Sequence, residues 1–396
     1  NKIKVQVHNM KMRTIFKLFA ILIFTYSNAQ NFQTQKIVVD LLTKLPLENV
    51  IISNQKDYST TNIDGKFIFV SANKAINLNL LGYENIETTF DDLKNSKDTI
   101  FMQQKTIQLP EILVGNSAAY IQKVYDRIKD NLIGNYTIDF FLRNVLKQEK
   151  ETIVLQDLSG KKNQNISSKD KISIEILNMR KVKLYDKKEG IDFKFQNFEE
   201  ISNLVAPSPS GCNFTEIAFN DENYKKIEFE SKNKNTQGLG IKGYLVINKK
   251  DLAIVEFKMS SDIDTDLLPY SKFMLSKVKY RTPEWTKHIK FIKDVASNKY
   301  YPVSLKMDVK VEVVTDKKSF YFNNSIDLFT TSAPRDEKII PNFSTDKDLF
   351  KAKFIYSADF WKSQNQLPLT KELDTFLKVV ADKKDKTKEY EVTGNF

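Results

Sequence analysis

From Val303 to Val313 every second residue is apolar, with Val303, Leu305, Met307, Val309, Val311 and Val313 alternating against Ser304, Lys306, Asp308, Lys310 and Glu312. A helix cannot keep a period of two, because its side chains return to one face every 3.6 residues. The run therefore predicts a long strand in an antiparallel sheet covered on one face and wet on the other. Gly243 to Phe257 repeats the signal as two strands hinged on Asn248 to Asp251. The same long-strand pattern fills Tyr136 to about Thr331, interrupted by a short helix. For that helix Asn197 and Glu200 supply a capping box, and Pro207 stops the run.

The segment Lys36 to Gln104 has shorter strands. Val38-Val39-Asp40, Pro46 to Ile52, Tyr58 to Phe69 and Leu78 to Glu84 are β-prone, and the third is hinged on Asp64-Gly65, a hairpin signal. Ile63, Phe67 and Phe69 are expected to face inward, with Lys66 and Ile68 opposite. In this order the segment resembles the carboxypeptidase regulatory-like domain. The resemblance implies a seven-stranded β-sandwich of the transthyretin type over residues 30–104, serving stability or contact, and carries no catalytic residue.

Residues 105–116 read as a linker. Its Leu109-Pro110-Glu111-Ile112-Leu113-Val114 resembles the segment that follows this domain in TonB-dependent receptors, although too few residues remain here for a receptor barrel. A larger unit is expected over 117–381. It starts with a helix capped by Ser117 and Gly134, with Ile121, Val124, Tyr125, Ile128 and Leu132 on its apolar stripe. It ends in a helix capped by Thr370, with Leu373, Phe376, Leu377 and Val380 inward. Residues 382–396 form a charged tail. Its last residue, Phe396, is similar to the terminal aromatic of outer-membrane strands, but the residues before it are too charged to face lipid. The Phe360-Trp361 and Leu367 to Leu373 ending resembles that of exported Gram-negative proteins carrying the same first domain. The fold class is thus mainly β (α+β): a sandwich, then a larger antiparallel curved sheet or half-barrel with a few helices. The second unit resembles the half-barrel of LolA-like lipoprotein carriers. Phe273, Phe291, Phe320 and Phe322 are of a type to line its cavity, or simply to fill a core.

Lys11 to Arg13, the apolar run Ile15 to Phe24 and Ser27-Asn28-Ala29 have the order of a signal peptide over residues 1–29, with Met10 or Met12 as the initiator of an overextended start. The run is far short of the ~20 residues needed to span a bilayer, and no Cys follows Ala29 to take a lipid. Nucleic acid is not the expected partner. Lys2, Lys4, Lys11, Arg13 and Lys17 stand in that leader without an acidic residue, and without these five the net charge of +11 falls to +6. Elsewhere cations alternate with acids instead of clustering. Cys212 is the sole cysteine, so no internal disulfide forms.

The chemistry is sparse. With only His8 and His288, and His8 in the leader, the two-His zinc site of a peptidase cannot be built. His288 is expected on the exposed side of a strand; a Ser triad or a Cys-His dyad would have to use it, and a pairing with Cys212 is conceivable. Gly238 to Gly243 matches G-x-G-x-x-G, but a polar run precedes it and a strand follows, which suits a hairpin loop and not a dinucleotide site. Asp262-Ile263-Asp264-Thr265-Asp266 opens like a calcium loop, yet Leu267 and Phe273 occupy the Gly and Glu positions. No catalytic, cofactor-binding or metal-binding residue is assigned. The sequence is that expected of an exported, non-catalytic envelope protein of a Gram-negative bacterium, in the periplasm or at the outer membrane. Its expected partner is an outer-membrane protein, or an apolar or peptide-like ligand. The alternatives are a hydrolase using carboxylates alone and a structural adaptor of a TonB-dependent transporter.

Overall fold

The computed structural model describes residues 31–106, 117–165, 172–185, 195–203, 206–272, 277–382 and 388–396. The leader, the Leu109 to Val114 segment, Phe273 and most of the Asp382 to Lys388 charge run lie outside these residues.

The chain begins with seven strands, β1 (Phe32–Asp40), β2 (Ile51–Ser53), β3 (Tyr58–Thr60), β4 (Lys66–Ser71), β5 (Ala75–Asn79), β6 (Ile86–Thr89) and β7 (Thr99–Met102), with helix α1 (Phe90–Asn95) before the last. They make two sheets, ordered β4-β1-β7 and β3-β2-β5-β6. Val38, Val50, Ile52, Phe67, Phe69, Ile76, Leu78 and Met102 form the core between them, closed at one end by Phe90 and Leu93 of α1. A seven-stranded sandwich is what the sequence led one to expect.

The Asp64-Gly65 turn forms, but not as a hairpin. Gly65 takes φ +71°, and a Cβ there would lie 2.4 Å from the Val38 carbonyl oxygen. Only glycine fits such a backbone at such a contact. Asn62 ties the turn: its N–H donates to Lys66 O at 2.9 Å, and its Oδ1 accepts from Asp64 N and Lys66 N, each at 3.0 Å. Beyond the turn the two strands part, β3 to one sheet and β4 to the other. The chain arches across the sandwich because β3 is already paired to β2 on one edge and bonded to Thr331 on the other. Ile63, expected inside, sits at the apex of this arch and is 60 % exposed.

The second unit opens with α2 (Ala118–Asp126) and α3 (Ile128–Asn131) and continues into β8 (Asn135–Gln148), β9 (Glu151–Asn165), β10 (Ile172–Tyr185) and α4 (Phe198–Ser202). Then come β11 (Cys212–Ile217), β12 (Tyr224–Ser231), β13 (Leu239–Asn248), β14 (Ile254–Ile263), β15 (Ser271–Lys272), β16 (Lys279–Lys293), β17 (Tyr300–Val314) and β18 (Ser319–Thr330). A 3-10 turn (Leu349–Lys351), α5 (Ala358–Lys362), α6 (Lys371–Ala381) and β19 (Glu389–Thr393) complete it. One open sheet runs β11-β12-β13-β14-β16-β17-β18-β8-β9-β10-β19, with β15 added beside β16 and every pairing antiparallel. β13 and β14 hinge where the sequence placed the turn, with Asn248 N–H donating to Ala253 O at 2.9 Å. The capping box of α4 is complete, Glu200 N–H donating to Asn197 Oδ1 and Asn197 N–H to Glu200 Oε2. Thr370 caps α6, accepting from Leu373 N at 3.2 Å.

Three expectations need correcting. The single helix to Gly134 breaks at Arg127, Leu132 takes the capping position, and the Ser117 side chain makes no cap bond. Part of the charged tail is β19, which covers the edge of β10. The large sheet is covered on both faces. On one, Phe140, Leu142, Leu158, Ile174 and Leu245 pack against Ile121 and Val124 of α2, Phe198 and Ile201 of α4, and Phe343 and Leu349. On the other, Ile51 and Tyr58 of the sandwich meet Val303, Trp361 and Leu367 meet Phe141 and Phe329, and Leu373 meets Val145 and Leu155. The polar residues of β17 looked wet because they are charged, yet several are paired with groups that cover them.

Candidate functional site: a charged groove

Between the sandwich, the sheet face beneath it and the first turn of α6 lies a groove of about 730 Å³. Its floor comes from alternation: Lys306, Asp308 and Lys310 of β17 and Asn323, Ser325 and Asp327 of β18 project from one face. Its walls are Glu48, Asn49 and Thr60 to Asp64 of the sandwich, and Thr370 to Leu373.

One transverse row of the sheet feeds this floor. Tyr244, Lys258, His288, Lys306, Asp327, Arg143, Asp157 and Arg180 are in register on successive strands from β13 through β10. Pairing along and above the row fixes it. Lys306 Nζ lies 2.5 Å from Glu48 Oε1 of the sandwich, and Lys290 Nζ donates to Asn49 O at 3.0 Å. Residues 365–371 are wedged between the units. Asn365 exchanges two bonds with the Val70 backbone (2.7 and 3.0 Å), Pro368 O accepts from Asn62 Nδ2 and Arg143 Nη1, and Lys371 N–H donates to Asp64 Oδ2 at 2.8 Å.

Asp327 is the electrostatic outlier. Burial pushes its carboxyl up to about 6; Lys306 and Arg143 oppose the shift while Glu48 and Asp308 add to it. Asp308, diagonal to Asp327 across β17 and β18, accepts the Ser325 hydroxyl at 2.6 Å. Such diagonal neighbours lie roughly 7–8 Å apart, their Cβ atoms somewhat closer. Glu256 shows the opposite result. Burial raises it, but His288 Nε2 at 2.8 Å, the Lys290 charge and the Tyr244 hydroxyl at 2.7 Å hold it near about 2.

The sequence-based assignments fall as follows. His288 is half-buried against Glu256 and not on an open strand face. Cys212 is buried on β11, four strands from β16, roughly 19 Å at ~4.8 Å per strand. The two do not form a dyad, and burial pushes the thiol up, away from nucleophilic use. Gly238 ends the loop joining β12 and β13, with a strand after it as expected. Asp262 is engaged by Lys234 at 3.2 Å and Lys242 at 3.8 Å, and Leu267 is exposed. Among the described residues no group of three or more His, Cys, Asp or Glu is placed to hold a metal. Phe291 lies in the main core, whereas Phe320 and Phe322 pack with Phe195 in a separate cluster, so they line no common cavity. The row itself was missed. Its signal was a charge inside an apolar run, Arg143 after Phe140-Phe141-Leu142 and Asp157 before Leu158, on strands that pair.

No family model and no curated protein matches the chain. Among solved structures it is similar to the one titled "Lipid-protein interactions in lipovitellin", at 8 % identity and TM-score 0.25, over 55 % of this chain and 27 % of that one. The chain thus spans about a quarter of the lipovitellin chain it matches. It is also similar to MucB in complex with MucA(peri), at 7 % identity and TM-score 0.15, over 52 % of this chain and 93 % of that one. Likenesses at this level assign neither family nor activity.

Proposed function

We propose that this is an exported, non-catalytic envelope protein of a Gram-negative bacterium that acts by holding a polar or peptide-like ligand, or the loop of an outer-membrane partner, in the groove between its two units. The sandwich, which resembles the carboxypeptidase regulatory-like domain, serves as the docking module. The observation that carries this reading is the groove of about 730 Å³, a volume in the range of ligand sites, walled by both units. Its cations are largely committed to structural partners, Lys306 to Glu48, Lys147 to Glu372 and Arg143 to Asp157, which suits a surface built to recognise. The test is calorimetric titration of the mature chain with peptides and envelope glycan fragments, repeated on Asp327→Lys, which places a long cation in the groove. Saturable binding lost in the variant supports the reading, and absence of binding to every probe overturns it.

A second reading, a hydrolase using carboxylates alone, is favoured by one observation: Asp327 is held up to about 6 beside Asp308 in an open groove. A carboxyl raised in this way, with a second carboxyl at such spacing, suits the acid and base pair of inverting glycoside cleavage. Turnover of a glycan, abolished in both Asp327→Asn and Asp308→Asn, would replace the first reading with this one. An adaptor role beside a TonB-dependent transporter rests on Leu109 to Val114, outside the described residues.

A further inference from the structure

On the face of the large sheet turned away from the groove, Lys162 of β9 stands in register between Ile138 and Ile174. It is 3 % exposed, and among the described residues no carboxylate pairs with its charge or acts on it. Burial lowers its pKa to about 8, and no acid offsets that. Its neighbour Lys287 is provided for, donating to Glu200 O at 2.9 Å and Asn203 O at 2.6 Å, the carbonyls at the C-terminal end of α4. A buried charge is retained at such cost only where something pairs with it.

Lys162 lines a space of about 80 Å³ with Ile138 and Leu328. Beside it is a second space of about 110 Å³ that ends on Leu245, Leu252 and Phe257, and Leu132, Phe291 and Tyr300 wall both. Together they slightly exceed the ~150 Å³ of an apolar cavity that accommodates benzene. The Lys162 end is polar, with Gln164, Ser202 and Ser304 beside the cation, and the far end toward Leu245, Leu252 and Phe257 is mostly hydrocarbon.

We infer that these spaces form a second binding site, for a small unbranched carboxylate of about six carbons in all, its head paired to Lys162 and its tail laid past Phe291 toward Phe257. The site is separate from the groove, so its failure leaves the groove reading untouched. A carboxylate there supplies the missing counter-charge and keeps the ammonium protonated, while the tail lies along Leu132, Phe291, Leu245 and Phe257.

The experiment titrates the full mature chain with hexanoate and with hexanol, which share a tail and differ in charge. Hexanoate is expected to bind at least tenfold more tightly, and Lys162→Met is expected to remove that preference. Nitrogen-15 lysine spectra of the unaltered chain need no variant. Hexanoate should shift one lysine resonance, assigned to Lys162 by its absence from the Lys162→Met or Lys162→Gln spectrum. Equal affinity for the two probes, no saturable hexanoate binding, or an unchanged preference in Lys162→Met would each overturn the inference.

Discussion

Arg143 and Asp157 face each other on β8 and β9 and join through two bonds, Nε to Oδ1 and Nη2 to Oδ2, both 2.8 Å. Arg180 reaches the same carboxylate from β10 at 2.7 Å, so one acid serves two guanidiniums, all three buried. The excess positive charge is spread over Pro368 O, Gln366 Oε1 and the faces of Trp361 and Phe396, 4.4 and 4.7 Å from the Arg180 Cζ. Burial alone would raise Asp157. The two guanidiniums reverse that and hold it below the usual carboxylate range.

Asp157→Asn should therefore be severe. It leaves two buried cations facing one another, and breaking a buried pair in this way costs about 3–5 kcal/mol. Denaturant unfolding at pH 7 measures the loss. Because the carboxyl is depressed in the fold, its contribution is present above the ordinary value of 3.8 and disappears as pH falls through the folded value. The gap between wild type and variant should then narrow only below about pH 4.

Asp327→Asn should do the reverse. A carboxyl raised from 3.8 to about 6 destabilises the fold wherever it must ionise, above about pH 6, and costs nothing below 3.8. With solvent in the groove screening the charge, a gain of about 1 kcal/mol is expected at pH 8. Denaturation midpoints at pH 8 and pH 4 should show the gain at the first and not at the second.

Asn365→Ala removes both bonds that its amide makes to Val70, leaving a buried backbone N–H and C=O unpaired. The expected loss is about 2–3 kcal/mol. Since Asn365 lies on the wedge between the units, amide exchange of Val70 and proteolysis around residues 363–371 should accelerate before the large sheet itself opens.

Cys212 should be chemically silent. It is 4 % exposed and its thiol is pushed up by burial, so a thiol reagent should modify the native chain at least about a hundredfold more slowly than the denatured one. Rapid native labelling would mean that β11 opens readily.

Local rules were readable wherever they close over a few residues. The β13–β14 turn, the Asn197 capping box, the Thr370 cap and, from Leu305 on, the period-two face of β17 form as the sequence predicts, whereas Val303, at a break in register, packs on the sandwich side. What failed was anything decided by a distant partner. Gly65 announces a turn but not which sheet each flanking strand joins, and Ile63 lost its expected burial because the arch turns it outward. Lys306 and Arg143 have the composition of a wet face. Their real partners, Glu48 and Pro368, lie far away in sequence, and periodicity holds no information on them. Lys162 was invisible for the same reason, being one lysine among many until its neighbours are placed around it.

Strand β8 pairs with β18, so the earliest strand of the large sheet waits for almost the latest, and β10 is capped only by β19. On a ribosome, the segment from β8 to β10 would emerge and sit unfinished while just over two hundred further residues are made. A chain arrested before Glu389 would leave the β10 rim bare, an invitation to neighbouring chains that the completed molecule withdraws.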